Sequence, residues 1–192
     1  MKRALSLTLT CALVLALTAV LASPARADEQ PAAAKPGSGV RAEILRQIGD
    51  AQEKLIALAE ATPAEKYSWK PNDKVRSTGE VFLHVAGGNY FLPTLWGVKP
   101  PEGLDLRNIE KASTDKAKVI DALKKSFDHA RKAIETAPEA ELDKTIKIFD
   151  HDGTVREGFM LIATHAHEHL GQSIAYARMS GIVPPWSAGG GQ

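Results

Sequence analysis

The sequence predicts an all-α domain, a four-helix bundle with long loops. Three observations predict it. Four segments carry apolar residues at the helical period of 3.6, two of them open on a Ser/Thr-x-x-Glu capping pattern, and prolines or a glycine stand where each period breaks. One stretch, residues 142–153, reads otherwise and leaves room for a single short β-hairpin before the last helix.

The chain opens on Met1-Lys2-Arg3, an apolar run from Ala4 to Ala22, and a small-x-small site at Ala25-Arg26-Ala27. This is the pattern of a secretory signal peptide over residues 1–27, so an exported protein, periplasmic or secreted, is expected after cleavage. Cys11 lies inside the apolar run and not after it, which speaks against a lipid anchor, and no membrane association is expected of the mature chain. Cleavage removes Lys2, Arg3 and Arg26 and no acid, leaving 21 basic against 23 acidic side chains, a net charge of −2. A balance of that kind excludes a nucleic-acid-binding footprint. Cleavage also removes the single cysteine. The mature chain therefore has no disulfide, thiolate ligand or cysteine nucleophile, and any site must be built from His, carboxylate, amide and hydroxyl groups.

Residues 28–39 are polar and rich in Pro, Gly and Ala, and read as a disordered lead-in. One domain is expected over 40–187, with a loose tail at 188–192. The first helix is expected over Val40–Ala61, on the stripe Ile44, Ile48, Ala51, Leu55 and Leu58, ending at Thr62-Pro63. Residues 62–76 form a loop that Tyr67 and Trp69 anchor. The second helix starts at Ser77, where Ser77-Thr-Gly-Glu80 forms a capping box, and places Val81, His84, Gly88, Phe91 and Leu95 on one face, with Pro93 kinking or ending it. A second long loop covers 96–113, and loops of that length in a compact domain are often functional. The third helix runs from about Thr114 to Ala137 on Val119, Leu123, Phe127, Ala130 and Ile134. In the β-like stretch, Lys144–Phe149 either pair across an Asp150-His-Asp-Gly153 turn or form an irregular loop. The fourth helix runs from Thr154, with a second capping box to Glu157, as far as Ser180, and Gly181 suits its C-terminal cap.

Three of the six histidines fall in His165-Ala-His167-Glu-His169. On a helix, at about 100° per residue, His165 and His169 share the face of Phe159, Ile162 and Tyr176, while His167 stands about 200° from His165 and points to solvent. An i, i+4 histidine pair can grip one metal ion and needs a third ligand. His84, on the apolar face of the second helix, is the candidate. Alone it would read as a core histidine bonded to a carbonyl; beside the two-histidine clamp the metal is preferred. Three protein ligands leave a coordination position open, as in catalytic or ligand-exchanging sites. The pattern is not H-E-x-x-H, because Ala166 stands where that glutamate would. Glu168, next to His169, reads as surface more than as support for the site, while Gln172 and Asn89 are near enough to orient water or substrate. Gly87-Gly88 marks either close helix approach, room beside His84, or a local kink. His129 reads as solvated and His151 as a plain turn residue. Trp69, Trp96 and Trp186 are candidates to line or cover the mouth of the site.

The blocks Pro63-Ala-Glu-Lys-Tyr67-Ser-Trp69-Lys-Pro71 with Val75–Tyr90, and His165-Ala-His-Glu-His169-Leu-Gly171-Gln172 continuing to Pro184-Pro185-Trp186-Ser187, resemble the DinB-like family over roughly residues 40–187. The resemblance implies a four-helix bundle of the DinB-like type. It also implies a divalent metal held by one ligand from the second helix and two from the last at H-x-x-x-H spacing, which map onto His84, His165 and His169. Leu170 stands where many members carry a basic residue. Some relatives are transferases or isomerases that use low-molecular-weight thiols such as bacillithiol or mycothiol, and many have no known reaction; relatives are often homodimers. An oxidising exported compartment makes a cytosolic thiol cofactor less fitting here. The expectation is thus a metalloenzyme acting on a small molecule, with water or a thiol activated at the metal in hydrolase- or transferase-type chemistry. The metal is zinc first, with nickel, manganese or iron as alternatives, and the competing reading is a non-catalytic module that binds metal or a small ligand.

Overall fold

The computed structural model describes residues 39–188. The expected signal peptide, nearly all of the lead-in and most of the tail lie outside these residues. Four helices form the body: α1, Val40–Ala61; α2, Thr78–Phe91; α3, Lys116–Thr136; and α4, Val155–Met179. α1 packs against α3 and α4, and α2 packs against the same two, so the chain neighbours α1/α2 and α3/α4 face each other across the diagonals of the bundle. A diagonal step cannot be made by a tight turn. This accounts for the long connections after α1 and α3. No helix among the described residues is long and apolar enough to cross a membrane.

The termini follow the local chemistry. Thr62 leaves α1 in extended conformation while its N–H still reaches Leu58 O. Ser77 caps α2 in a complete capping box: its side chain accepts from Glu80 N, and the Glu80 carboxylate accepts from Ser77 N at 2.7 Å. Pro93 ends the α-helical geometry without a sharp break, because Leu92–Trp96 continues as a 3₁₀ turn that Gly97 closes at φ 92°. The cap of α4 is only half of the expected box. Thr154 Oγ1 accepts from Glu157 N, but the Glu157 carboxylate turns instead to His151 Nε2 at 3.0 Å. At its other end, Gly181 (φ 82°) donates to Arg178 O and Ile182 N to Ala177 O, the paired bonds of a Schellman motif.

The hairpin exists, but its turn lies two residues earlier than Asp150-His-Asp-Gly153 places it. β1, Thr145–Ile148, pairs antiparallel with β2, His151–Thr154, so that Phe149 and Asp150 make the turn and His151 begins a strand. This register keeps Ile146 and Ile148 on the core face. A shift would expose both.

The core runs through all four helices. Ile48 and Leu55 of α1, Phe82 of α2, Phe127 of α3 and Phe159 of α4 have no exposed surface. Burying each phenyl contributes about 1.5–3 kcal/mol. None of the three histidines belongs to this core. Tyr67 locks the first long loop: its hydroxyl donates to Ala59 O at 2.8 Å, and its carbonyl accepts from Gly79 N.

Ser77→Ala removes the cap that starts α2. It should cost about 1 kcal/mol of stability, read as a lower denaturation midpoint at unchanged slope; an unchanged midpoint would show that the box does not hold the helix start.

Candidate metal centre

His84 leaves α2 and His165 and His169 leave α4, one turn apart on its inward face. The three rings gather with centroids 4.5 to 5.0 Å apart. Each offers a nitrogen within 4.8 Å of the other two. His84 Nε2 and His165 Nε2 stand 3.2 Å apart. Metal–nitrogen bonds of 2.0–2.1 Å in tetrahedral geometry set ligand nitrogens roughly 3.4 Å apart, so this pair already has the spacing of two ligands on one ion.

Two of the three rings are oriented from behind. His84 Nδ1 donates to Glu110 Oε1 at 2.6 Å, and Arg76 grips the same carboxylate through Nε at 2.7 Å and a second nitrogen at 3.0 Å. An ionised carboxylate can only accept, so Nδ1 of His84 carries the proton and Nε2 presents its lone pair to the cluster. His169 Nδ1 donates to Gln172 Oε1 at 2.8 Å, while Gln172 Nε2 donates to the Tyr176 hydroxyl. Trp69 packs edge-on against Tyr176 and backs that chain. His165 has no such support: its Nδ1 is buried with no hydrogen-bond partner. A lone pair lodged between two imidazoles, with the other ring nitrogen unpaired, is better satisfied by a cation at the cluster than by apo contacts alone.

Gly87 and Gly88 make the arrangement sterically possible. A Cβ at Gly88 would overlap the ring of His165, and one at Gly87 would press on Ile109 at 2.9 Å. The first glycine of the pair admits the 3₁₀ turn Ile109–Lys111, which brings Glu110 to His84; the second admits the ligand ring from α4. Close approach, and not a kink, explains the pair, since α2 runs unbroken to Phe91.

The electrostatics favour the neutral form of His165 and His84. Burial, then the neighbouring His169, His84 and Arg76, push the pKa of His165 down to about 3. Burial also lowers that of His84, against the opposing pull of Glu110. Glu110 is itself held below the usual carboxylate range, chiefly by Arg76. Neutral imidazole is the form that binds metal.

A cavity of about 480 Å³ opens onto His84 and His165. Its apolar wall includes Phe91, Leu106, Ile109 and Phe149, with Arg107 at the rim. None of the three tryptophans lines it. Trp96 packs on Phe159 and Gly158, Trp69 on Tyr176, and Trp186 lies in a 3₁₀ turn beyond α4, 41% exposed. Asn89 also lies elsewhere: it is fully buried between α2 and α3, donating to Ser126 Oγ at 3.1 Å. Glu168 and His167 are exposed, the latter bonded through Nδ1 to Ala163 O. His129 is not solvated as expected; it packs on Tyr90, and its Nε2 is buried without a partner. Glu110 and Arg76 went unmarked in the sequence. The length of the 96–113 loop was the only signal, and it pointed to a segment and not to a carboxylate.

Gly88→Ala should abolish high-affinity zinc binding, measured by competition with a chromophoric chelator, while the helical circular dichroism persists; wild-type affinity in this variant would disprove the contact with His165. The pH dependence has a definite sign. The unfolded chain takes up a proton on each imidazole near its ordinary value of about 6.5, before the folded state does. His165 and His84 therefore lend stability above that pH, and it is lost progressively as pH falls toward the folded value. The zinc-free wild type should lose melting temperature between about pH 7 and 5 more steeply than His165→Ala. Equal slopes would mean that His165 is solvated.

Comparison with known proteins agrees with this fold. The sequence profile of the DinB superfamily matches residues 47–173. The fold is similar to that of a DinB-like protein from Bacillus cereus, with a TM-score of 0.65 and 16% identity, covering 74% of this chain and 93% of that one. A DinB-like protein from Bacillus subtilis is similar at a TM-score of 0.59 and 22% identity, covering 73% and 93%. No curated protein is a significant match. The profile covers all three histidines, and the chain belongs to the DinB superfamily.

Proposed function

We propose that this protein is an exported metalloenzyme whose divalent ion, zinc in the first instance, is held by His84, His165 and His169. The observation that carries the reading is the convergence of three imidazoles from two helices, with a carboxylate fixing the tautomer of one of them. A bound divalent metal would supply Lewis acidity, lowering the pKa of a water or thiol at neutral pH. The chain's own groups do the rest. Glu110 and Arg76 hold His84 in its ligating tautomer, Gln172 does the same for His169, and the cavity admits a small molecule beside His84 and His165.

The cavity also favours catalysis over a closed structural site, since a structural zinc centre is usually sealed by a fourth protein ligand. Among the described residues the cluster offers three. The competing reading is a module that binds metal or a small ligand without turnover.

Protein purified without a histidine tag should contain close to one equivalent of metal by elemental analysis, and His84→Ala and His169→Ala should lose it. Absence of metal from the wild type after zinc, nickel and manganese have been offered would end the proposal. Because none of the three ligands belongs to the apolar core, chelation should strip the metal and leave the helical signal in place. Thiol-transfer and ester or amide hydrolysis assays on the loaded protein then separate enzyme from binder.

A further inference from the structure

Phe149 occupies a position that the fold does not ask a phenylalanine to fill. It is the first residue of the two-residue hairpin turn, at φ 51°, and among the described residues it is the one non-glycine with positive φ. Positive φ in such turns is ordinarily taken by Gly, Asn or Asp, because a bulky side chain there is strained. The ring recovers little of this by burial, since it is 63% exposed. It stacks against Phe91, itself 43% exposed, at 6.4 Å and 22°. Both rings stand on the wall of the cavity that reaches His84 and His165. A strained, exposed aromatic beside a candidate site is a feature retained at a cost to stability.

The charges on the same wall are unequal in their commitments. Glu110 is engaged by His84 and Arg76. Arg107 has no ion pair within 4 Å among the described residues; Asp105 feels its charge only from further off. Three neutral imidazoles would also leave the two positive charges of a bound ion uncompensated. An anionic group is therefore attracted to this cavity by two of the groups that line it, and its body meets phenyl and alkyl surface.

We propose that the cavity binds a small organic anion with an aromatic or branched apolar body, Phe149 and Phe91 covering the body and Arg107 together with the metal site attracting the charge. The proposal rests on the metal reading for one pole of that attraction and not for the apolar contact. A volume of about 480 Å³ lies within the usual range for sites that enclose a small molecule. Phe149 is in this view a specificity residue, held in a costly backbone conformation so that its ring closes the cavity mouth.

Naphthoate is a suitable probe, with neutral naphthylmethanol as its uncharged counterpart, each titrated by fluorescence into zinc-free and zinc-loaded protein. Naphthoate should bind both forms, and more tightly when zinc is present. Phe149→Asn suits the turn and should keep or raise the melting temperature while weakening naphthoate about tenfold, the loss expected when about half a phenyl contact is removed. Arg107→Gln should weaken naphthoate and leave naphthylmethanol unchanged. No naphthoate binding to either form, or equal affinity in Phe149→Asn, would overturn the proposal. An equal loss for both probes in Arg107→Gln would overturn the anionic assignment. If Phe149→Asn instead splits a dimer and leaves naphthoate affinity unchanged, the phenyl pair is a subunit contact and the proposal falls. The zinc content of the same samples reports on the metal independently. Naphthoate binding without zinc uptake would refute the metal centre alone, and zinc uptake without naphthoate binding would refute the ligand class alone.

Discussion

The approach of α4 to α2 at Gly88 is the constraint on which the site depends. A helix surface normally carries a Cβ at every position, and one methyl here would fill the space taken by the His165 ring. With the glycine in place, three imidazoles gather between two helices, His169 buried and His84 and His165 half-buried at the cavity. Partial burial and the neighbouring rings disfavour protonation of His165, and burial disfavours that of His84. The gathering also leaves lone pairs facing one another with too few protein donors to satisfy them. A metal-ligating constellation is what results when such a cluster is backed by Glu110 and Gln172, which leave the inward nitrogens unprotonated.

The diagonal topology makes part of the support possible. Because α2 does not lie beside α1, the loop between them is long, and it is used twice. Tyr67 ties down the start of α2, while Trp69 braces Tyr176 behind His169. A further long loop, between the adjacent α2 and α3 and so not required by a diagonal step, folds back over α2 at Gly87 and delivers Glu110 to His84 with Ile109 as its anchor. Loop residues thus set the electronic state of ligands that helices position. The bundle core is built from other residues, Phe82, Phe127 and Phe159 among them, so stability and site chemistry are carried by largely separate side chains.

Much of this was legible in the residues alone, and the reason is local. Periodicity placed all four helices within about two residues of their ends, because apolar spacing reports the helix face directly. The same spacing separated His165 and His169 from His167. The failures share another cause. Asn89 was expected near the histidines but faces α3, and the tryptophans were expected at the mouth but brace the core or lie beyond α4. Each depends on which element packs opposite, and this is not encoded within one turn of helix. The hairpin turn was misplaced because Asp-His-Asp-Gly has good turn chemistry; burial of Ile146 and Ile148 on one face outweighed it and moved the turn to Phe149-Asp150.

By itself the sequence determined four amphipathic helices, an inward histidine pair at i, i+4, and a third histidine on another apolar face. Those are properties of a backbone period and need no partner to define them. Only the tertiary structure decided that Gly88 makes room for a ring, that Glu110 and Arg76 stand behind His84, and that two phenylalanines distant in the chain share a cavity wall. Each of these is a contact between segments far apart in sequence, set by how the diagonal bundle and its long loops close on one another.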